Sequence, residues 1–147
     1  RFEKDAGTYY QKMLDNAATY HHMKILTMSR LTQNLLKAID YEQILQKRNE
    51  NYRLLKELLP SDSPFTRVTP DGPFAYPYYH KNGIALRKAL AKEKIFVPTN
   101  WSNVIRDCAP ESYEYQWAAD ILPLPCDQRY GNEEMQRIAD VIHALEP

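Results

Sequence analysis

Glycine is scarce in this chain. Only four of its 147 residues are glycine, Gly7, Gly72, Gly83 and Gly131, and none stands in a Gly-x-Gly or Walker arrangement, so neither a dinucleotide fold nor a P-loop is expected. The two cysteines, Cys108 and Cys126, lie far apart with no Cys-x-x-Cys and no histidine at ligand spacing. Neither a zinc site nor a disulfide framework is implied, and a reducing, cytoplasmic setting fits best. Charge of neither sign is in excess, with 19 Lys and Arg against 19 Asp and Glu, which gives no electrostatic attraction to nucleic acid or to an anionic membrane. No apolar run approaches the ~20 residues that span a bilayer, and no signal-peptide pattern opens the chain. Ser29, Ser61, Ser63, Ser102 and Ser112 lack a Gly-x-Ser-x-Gly context, and Cys108 has only Arg106 and Asp107 beside it, so a hydrolytic nucleophile is not expected. His21 and His22 are adjacent, and on a helix they would point about 100° apart, which suits polar surface better than a metal site.

Proline is absent from residues 1 to 59, whereas all ten prolines lie from Pro60 onward. This contrast divides the chain into a helical segment, 1–59, and a carboxyl-terminal α/β domain, 60–147. In the first part a helix is expected over roughly 8–24, and Ser29 is placed to cap a short helix through Leu31, Leu35, Leu36 and Ile39. Asp40 occupies an N-cap position before Tyr41, Ile44, Leu45, Arg48, Tyr52, Leu55 and Leu59, whose three- and four-residue steps mark a long helix suited to connecting two domains. In the second part, Phe65–Thr69 and Phe74–Tyr79 read as strands paired across Pro70-Asp71-Gly72-Pro73. Asn82 can cap a helix through Ile84, Leu86 and Leu90, Ile95–Val97 reads as a third strand, and Ile121–Leu124 as a fourth. Asn132 can cap a last helix whose apolar side is Met135, Ile138, Val141, Ile142 and Leu145. The pattern is that of an α+β protein with a small, largely antiparallel sheet covered on one face by helices.

What the chain has in quantity is aromatic surface chemistry, with eleven tyrosines and two tryptophans. Tyr76, Tyr78, Tyr79 and His80, then Asn100-Trp101-Ser102-Asn103, mix aromatic faces with hydrogen-bonding tips, a combination that suits sugars or nucleotide rings at a domain cleft. Tyr78, His80, Asn100 and Trp101 are therefore the candidate substrate-binding residues. The alternative for Tyr76 and Tyr78 is the core, for Trp101 a loop cover, and for Arg129 and Tyr130 a packing pair at the entry of the last helix.

The closing segment, Ile121-Leu-Pro-Leu-Pro-Cys-Asp-Gln-Arg-Tyr130 and the capped helix behind it, resembles the carboxyl end of the DegT/DnrJ/EryC1/StrS family of sugar aminotransferases. The middle of the long helix, Gln46-Lys-Arg-Asn-Glu-Asn-Tyr52, is similar to the connecting helix of that family. The resemblance implies a fold-type I small domain and pyridoxal phosphate as cofactor. It further implies a nucleotide-linked sugar as substrate, glutamate as amino donor and a homo-oligomer. The Schiff-base lysine and its acidic partner belong to a large domain upstream, so the chain, which starts at Arg1, is expected to be the inactive carboxyl-terminal part of a longer enzyme. Lys4, Lys12 and Lys24 lack the flanking residues of that lysine. The resemblance also places Asn100 and Trp101 toward the active site. The chain departs from the family at Ile25-Leu26-Thr27-Met28, where Asn-x-Arg-Met supplies an asparagine to the cofactor phosphate of the neighbouring subunit. That departure favours the other reading, a non-catalytic binding module that keeps the small-domain fold.

Overall fold

The computed structural model describes residues 6–61 and 63–146, and its contacts divide them into two units on either side of the Ile39–Asp40 link. The first unit holds α1 (Ala6–Thr19), which tightens into a 3₁₀ turn at Tyr20–His22, and α2 (Arg30–Lys37). Ser29 caps α2 as its sequence position suggests, its Oγ accepting from the Thr32 N–H at 3.1 Å. No side chain from Tyr9 to Ile39 is buried.

The second unit begins with α3 (Tyr41–Leu58), capped by the Asp40 carboxylate, which accepts from the Gln43 N–H at 2.9 Å. Its buried face is Asn51, Tyr52 and Leu55, continued by Leu59, and Pro60 ends it. The long helix thus packs with the domain that follows it. Two strands follow, β1 (Ala75–Tyr79) and β2 (Ile121–Pro125), antiparallel in the register Ala75↔Pro125 through Tyr79↔Ile121. Pro77 faces Pro123, and neither has an N–H, so theirs is a non-hydrogen-bonded pair. The alternation then gives the ladder bonds to Tyr76↔Leu124 and Tyr78↔Leu122. Pro123 and Pro125 remove outward donors from the far edge of β2, which closes that edge to a further strand. On the β1 side the Tyr79 N–H is taken by Ser61 Oγ at 2.9 Å.

The period of two puts Tyr76, Tyr78, Leu122 and Leu124 on one face, all buried. Over it, α3 packs on β1, α4 (Gly83–Lys92) packs on β2, and α7 (Asn132–Leu145) packs against both helices through Met135, Ile138, Ala139 and Ile142. Tyr52 meets Tyr76 edge to face, 5.2 Å between centroids, and the Tyr76 hydroxyl donates to the Leu59 carbonyl at 2.6 Å. Burial of the two hydroxyls raises their pKa, that of Tyr76 to about 12.

The α+β character is as expected, but two strands are corrected. Phe65–Thr69 is not a strand: residues Pro64–Arg67 form a 3₁₀ turn. Ser63 Oγ accepts from the Phe65 N–H, and the Thr66 hydroxyl donates to the Ser61 and Ser63 carbonyls at 2.9 and 2.7 Å, local bonds that compete with a ladder. The Pro70–Pro73 turn is likewise no hairpin. Gly72, at φ +63°, donates its N–H to Asn49 Oδ1 on α3 at 2.8 Å, so the turn is docked on the helix. Ile95–Val97 is extended, with Ile95 and Val97 buried and Phe96 outward, but has no ladder partner. Between Val97 and Ile121, where the sequence reading places no element, the chain holds α5 (Ser102–Asp107) and α6 (Tyr113–Asp120), the latter capped by Ser112 Oγ and running directly into β2. The caps at Asn82 and Asn132 also differ. Asp120 Oδ1 accepts from the Gly83 N–H at 3.2 Å, and Glu134 reaches back to the Gly131 N–H at 2.8 Å with Asn132 as the first helical residue.

Candidate functional site

The second face of the ribbon carries Ala75 and Pro125, both only partly covered, together with Pro123. These three residues lie in a groove of about 740 Å³. Its lining includes two aromatic rings, Phe74 and Phe96, turned outward at 76% and 70% exposure. It also includes charged residues: Arg48 of α3, Asp127 and Arg129 of the loop after β2, Glu134 and Arg137 of α7, and Lys94 from the end of α4.

A buried asparagine holds the loop in place. Asn51 is fully buried, and its Nδ2 donates to the carbonyls of Cys126, Asp127 and Tyr130 at 3.4, 3.1 and 3.0 Å. Three acceptors around one amide nitrogen fix which end of the side chain points there, and they leave Oδ1 buried without a partner. One turn earlier on α3, the Arg48 Nε donates to Gln128 Oε1 at 2.9 Å, and the guanidinium reaches toward the Pro73 carbonyl at 3.5 Å. Asp127 and Arg129 pair through two bonds of 2.8 and 2.9 Å. That pairing lowers the Asp127 carboxyl and raises the Arg129 guanidinium. The Arg129 guanidinium also lies 5.5 Å from the centroid of the half-buried Tyr130 ring, the packing pair considered from sequence. Beneath the loop, burial pushes the Cys126 thiol up to about 11, so it is protonated at neutral pH and no nucleophile.

Lys94 owes its position to an uncommon backbone. It occupies the left-handed region at φ +62°, with its N–H bonded to Ala91 O and that of Ile95 to Leu90 O. This is a Schellman ending with lysine where glycine is the usual occupant.

No family model, curated protein or solved structure matches the chain. The functional reading therefore rests on its own residues. Of the four residues singled out by sequence, none lines this groove or the smaller one near Asn82, Tyr115 and Asp120. Tyr78 is buried, with its hydroxyl donating to Glu146, and burial followed by that bond raises its pKa. His80 lies in the turn after β1, its Nδ1 accepting from the Asn82 N–H at 3.2 Å. Asn100 and Trp101 are exposed at the start of α5, Trp101 at φ +52°. Beside the smaller groove, burial raises Asp120, against the opposing effects of the Gly83 N–H, His80 and Arg87. Cys108 and Cys126 are free thiols, no group of three potential metal ligands occurs among the described residues, and no helix among them is long and apolar enough to cross a membrane. Arg48, Arg129 and Tyr130 stand in segments that resemble the family, whereas Phe74 and Phe96 were read only as strand residues, Lys94 carried no signal, and the tertiary fold alone joins them to the groove.

Proposed function

We propose that this chain is the small, carboxyl-terminal part of a pyridoxal-phosphate-dependent aminotransferase acting on a nucleotide-linked sugar, with glutamate as donor and a homo-oligomer as the working form. One observation carries the reading. The two segments that resemble the aminotransferase family, Gln46–Tyr52 and Ile121–Tyr130, are eighty residues apart in places, yet Asn51 and Arg48 bond directly to Cys126, Asp127, Gln128 and Tyr130. Stretches chosen for their likeness alone form one bonded unit.

On this reading the cofactor site lies outside the described residues. Transamination on this cofactor needs a lysine for the covalent link and an acid against the ring nitrogen. Lys94 and Lys81, the lysines of the two grooves, are both exposed on the surface. On this reading the cofactor belongs to an upstream large domain, and no chemical step is assigned to residues 6–146. The apolar side chains of the first unit, including Ile25, Leu26, Leu31 and Leu35, are uncovered and would find their partners in that domain or in a second subunit.

The reading is tested on the product isolated from its native source, by intact mass and by visible absorbance after pyridoxal phosphate is added. A longer product that develops an aldimine band bears it out. A product of this length with no band overturns it and leaves the binding module, which the groove, complete within residues 48–138, would serve unaided.

A further inference from the structure

We infer that the groove over Ala75, Pro123 and Pro125 is a binding site for a small molecule that carries an oxyanion, phosphate or carboxylate, attached to a planar ring. The inference is independent of the aminotransferase reading, because it uses no residue outside the second unit and no cofactor.

Charge comes first. The chain as a whole is neutral, so a local excess of cations is not inherited from its composition. In the groove four cations face two carboxylates, a net excess of two: the Arg129 charge is paired with Asp127, and Glu134, which accepts from the Gly131 N–H, keeps its own charge. Arg48, Arg137 and Lys94 remain. No carboxylate among the described residues lies within ion-pair distance of any of them; Arg48 bonds a neutral amide and a carbonyl, and Arg137 reaches one carbonyl, Glu93 O, at 3.3 Å. Guanidinium groups with N–H donors to spare are what a phosphate or carboxylate takes up in paired bonds.

Shape and polarity narrow the rest of the ligand. Phe74 and Phe96 stand at the same groove with most of their surface in water and without a ring partner among the described aromatic pairs. Aromatic faces left open in a groove that also holds cations suit a flat ring, which can stack on them. The floor argues against an extended peptide. Pro123 and Pro125 have no N–H to offer, so the edge of β2 cannot add a strand, and a volume of about 740 Å³ is that of a small-molecule site.

The test is an amide-resolved NMR titration of the full chain with phenyl phosphate, benzoate, inorganic phosphate and benzyl alcohol. Phenyl phosphate or benzoate is expected to produce saturable shifts centred on Lys94, Phe96 and Arg137, with inorganic phosphate weaker for want of the ring and benzyl alcohol weaker for want of the charge. The stronger of the first two identifies phosphate or carboxylate as the natural group. Two substitutions remove cations without disturbing the fold. Lys94→Asn suits the left-handed backbone, and Arg137→Gln changes an exposed side chain with one weak bond. The double variant is expected to keep the thermal midpoint of the parent and to bind the preferred ring anion at least tenfold more weakly. Absence of saturable shifts with both ring anions overturns the inference, as does undiminished affinity in the folded double variant. The aldimine test can fail while this one succeeds, and the reverse, so the two readings stand or fall separately.

Discussion

Asn51 shows how much of this structure rests on single polar atoms. Its amide nitrogen serves three carbonyls at 3.0 to 3.4 Å inside a side chain with no solvent exposure, and in water those carbonyls would be hydrated. Asn51→Asp keeps the shape and replaces the donor with an acceptor or a charge. It is expected to destabilise by at least about 3 kcal/mol at neutral pH, because a buried carboxylate would face three carbonyl oxygens. Urea denaturation of the parent and variant checks this, and a loss under about 1 kcal/mol would show that water reaches the site. Lys94 points the other way. At φ +62° it bears a left-handed cost that glycine avoids, so Lys94→Gly is expected to stabilise by about 0.5–1 kcal/mol in the same experiment. Equal or lower stability would mean that the lysine stem recovers that energy by packing. Neither role was legible in the sequence. The Asn51 partners are contributed by a loop some seventy-five residues away, and Lys94 ends a helix where the usual glycine signal is missing.

At the scale of elements, Gly83 decides how closely α4 approaches the junction of α6 and β2. A Cβ at that position would fall 2.3 Å from the Ala119 carbonyl oxygen and 2.6 Å from the Asp120 Cα, both backbone atoms that cannot swing aside. Alanine is the better helix former by about 1 kcal/mol, but relieving this overlap must move one helix against another, at a cost of typically 1–3 kcal/mol or more. Gly83→Ala is therefore expected to lower stability by about 1 kcal/mol net, with thermal denaturation as the measurement; a raised midpoint would place the helix start elsewhere. The legible elements were those with a local cause. The caps Ser29 and Asp40, the apolar stripe of α7 and the alternation around Tyr76 and Leu122 each draw on neighbours within a few residues. The strands expected at Phe65 and Ile95 failed because β-forming residues can serve other contacts. Phe65 turns edge to face onto Trp117 at 5.7 Å, and Ile95 closes the end of α4. The groove was half legible for the same reason. Its arginines on α3 and in the Asp127–Tyr130 loop lie in segments that the sequence marks, and its phenylalanines are brought there from Phe74 and Phe96 by folding alone.

For the molecule as a whole, the core of the second unit includes four buried weak acids among its aliphatic side chains. Cys126, Tyr52, Tyr76 and Tyr78 all belong to it, and desolvation is the first cause of the raised pKa of each, reaching about 11 for the thiol and about 12 for Tyr76. A raised folded-state pKa means that the neutral form is favoured in the native protein. The associated stability is complete below the unfolded values, about 9 for the thiol and 10 for the phenols, and is lost as pH rises through the folded ones. With 1.36 kcal/mol per unit as the conversion, Cys126 alone contributes on the order of 2–3 kcal/mol that disappears between pH 9 and 11. Stability in urea should therefore be level from pH 7 to about 8.5 and then fall, the thiol acting before the phenols. Cys126→Ala separates the contributions. It lowers stability at neutral pH through the lost packing, yet it should delay the decline by roughly a pH unit, because only tyrosines then remain to ionise. A parent protein equally stable at pH 8 and pH 10.5 would mean that these groups meet water in the native state, and with it the closed packing of α3, β1 and the Cys126 loop that shapes the groove would be refuted.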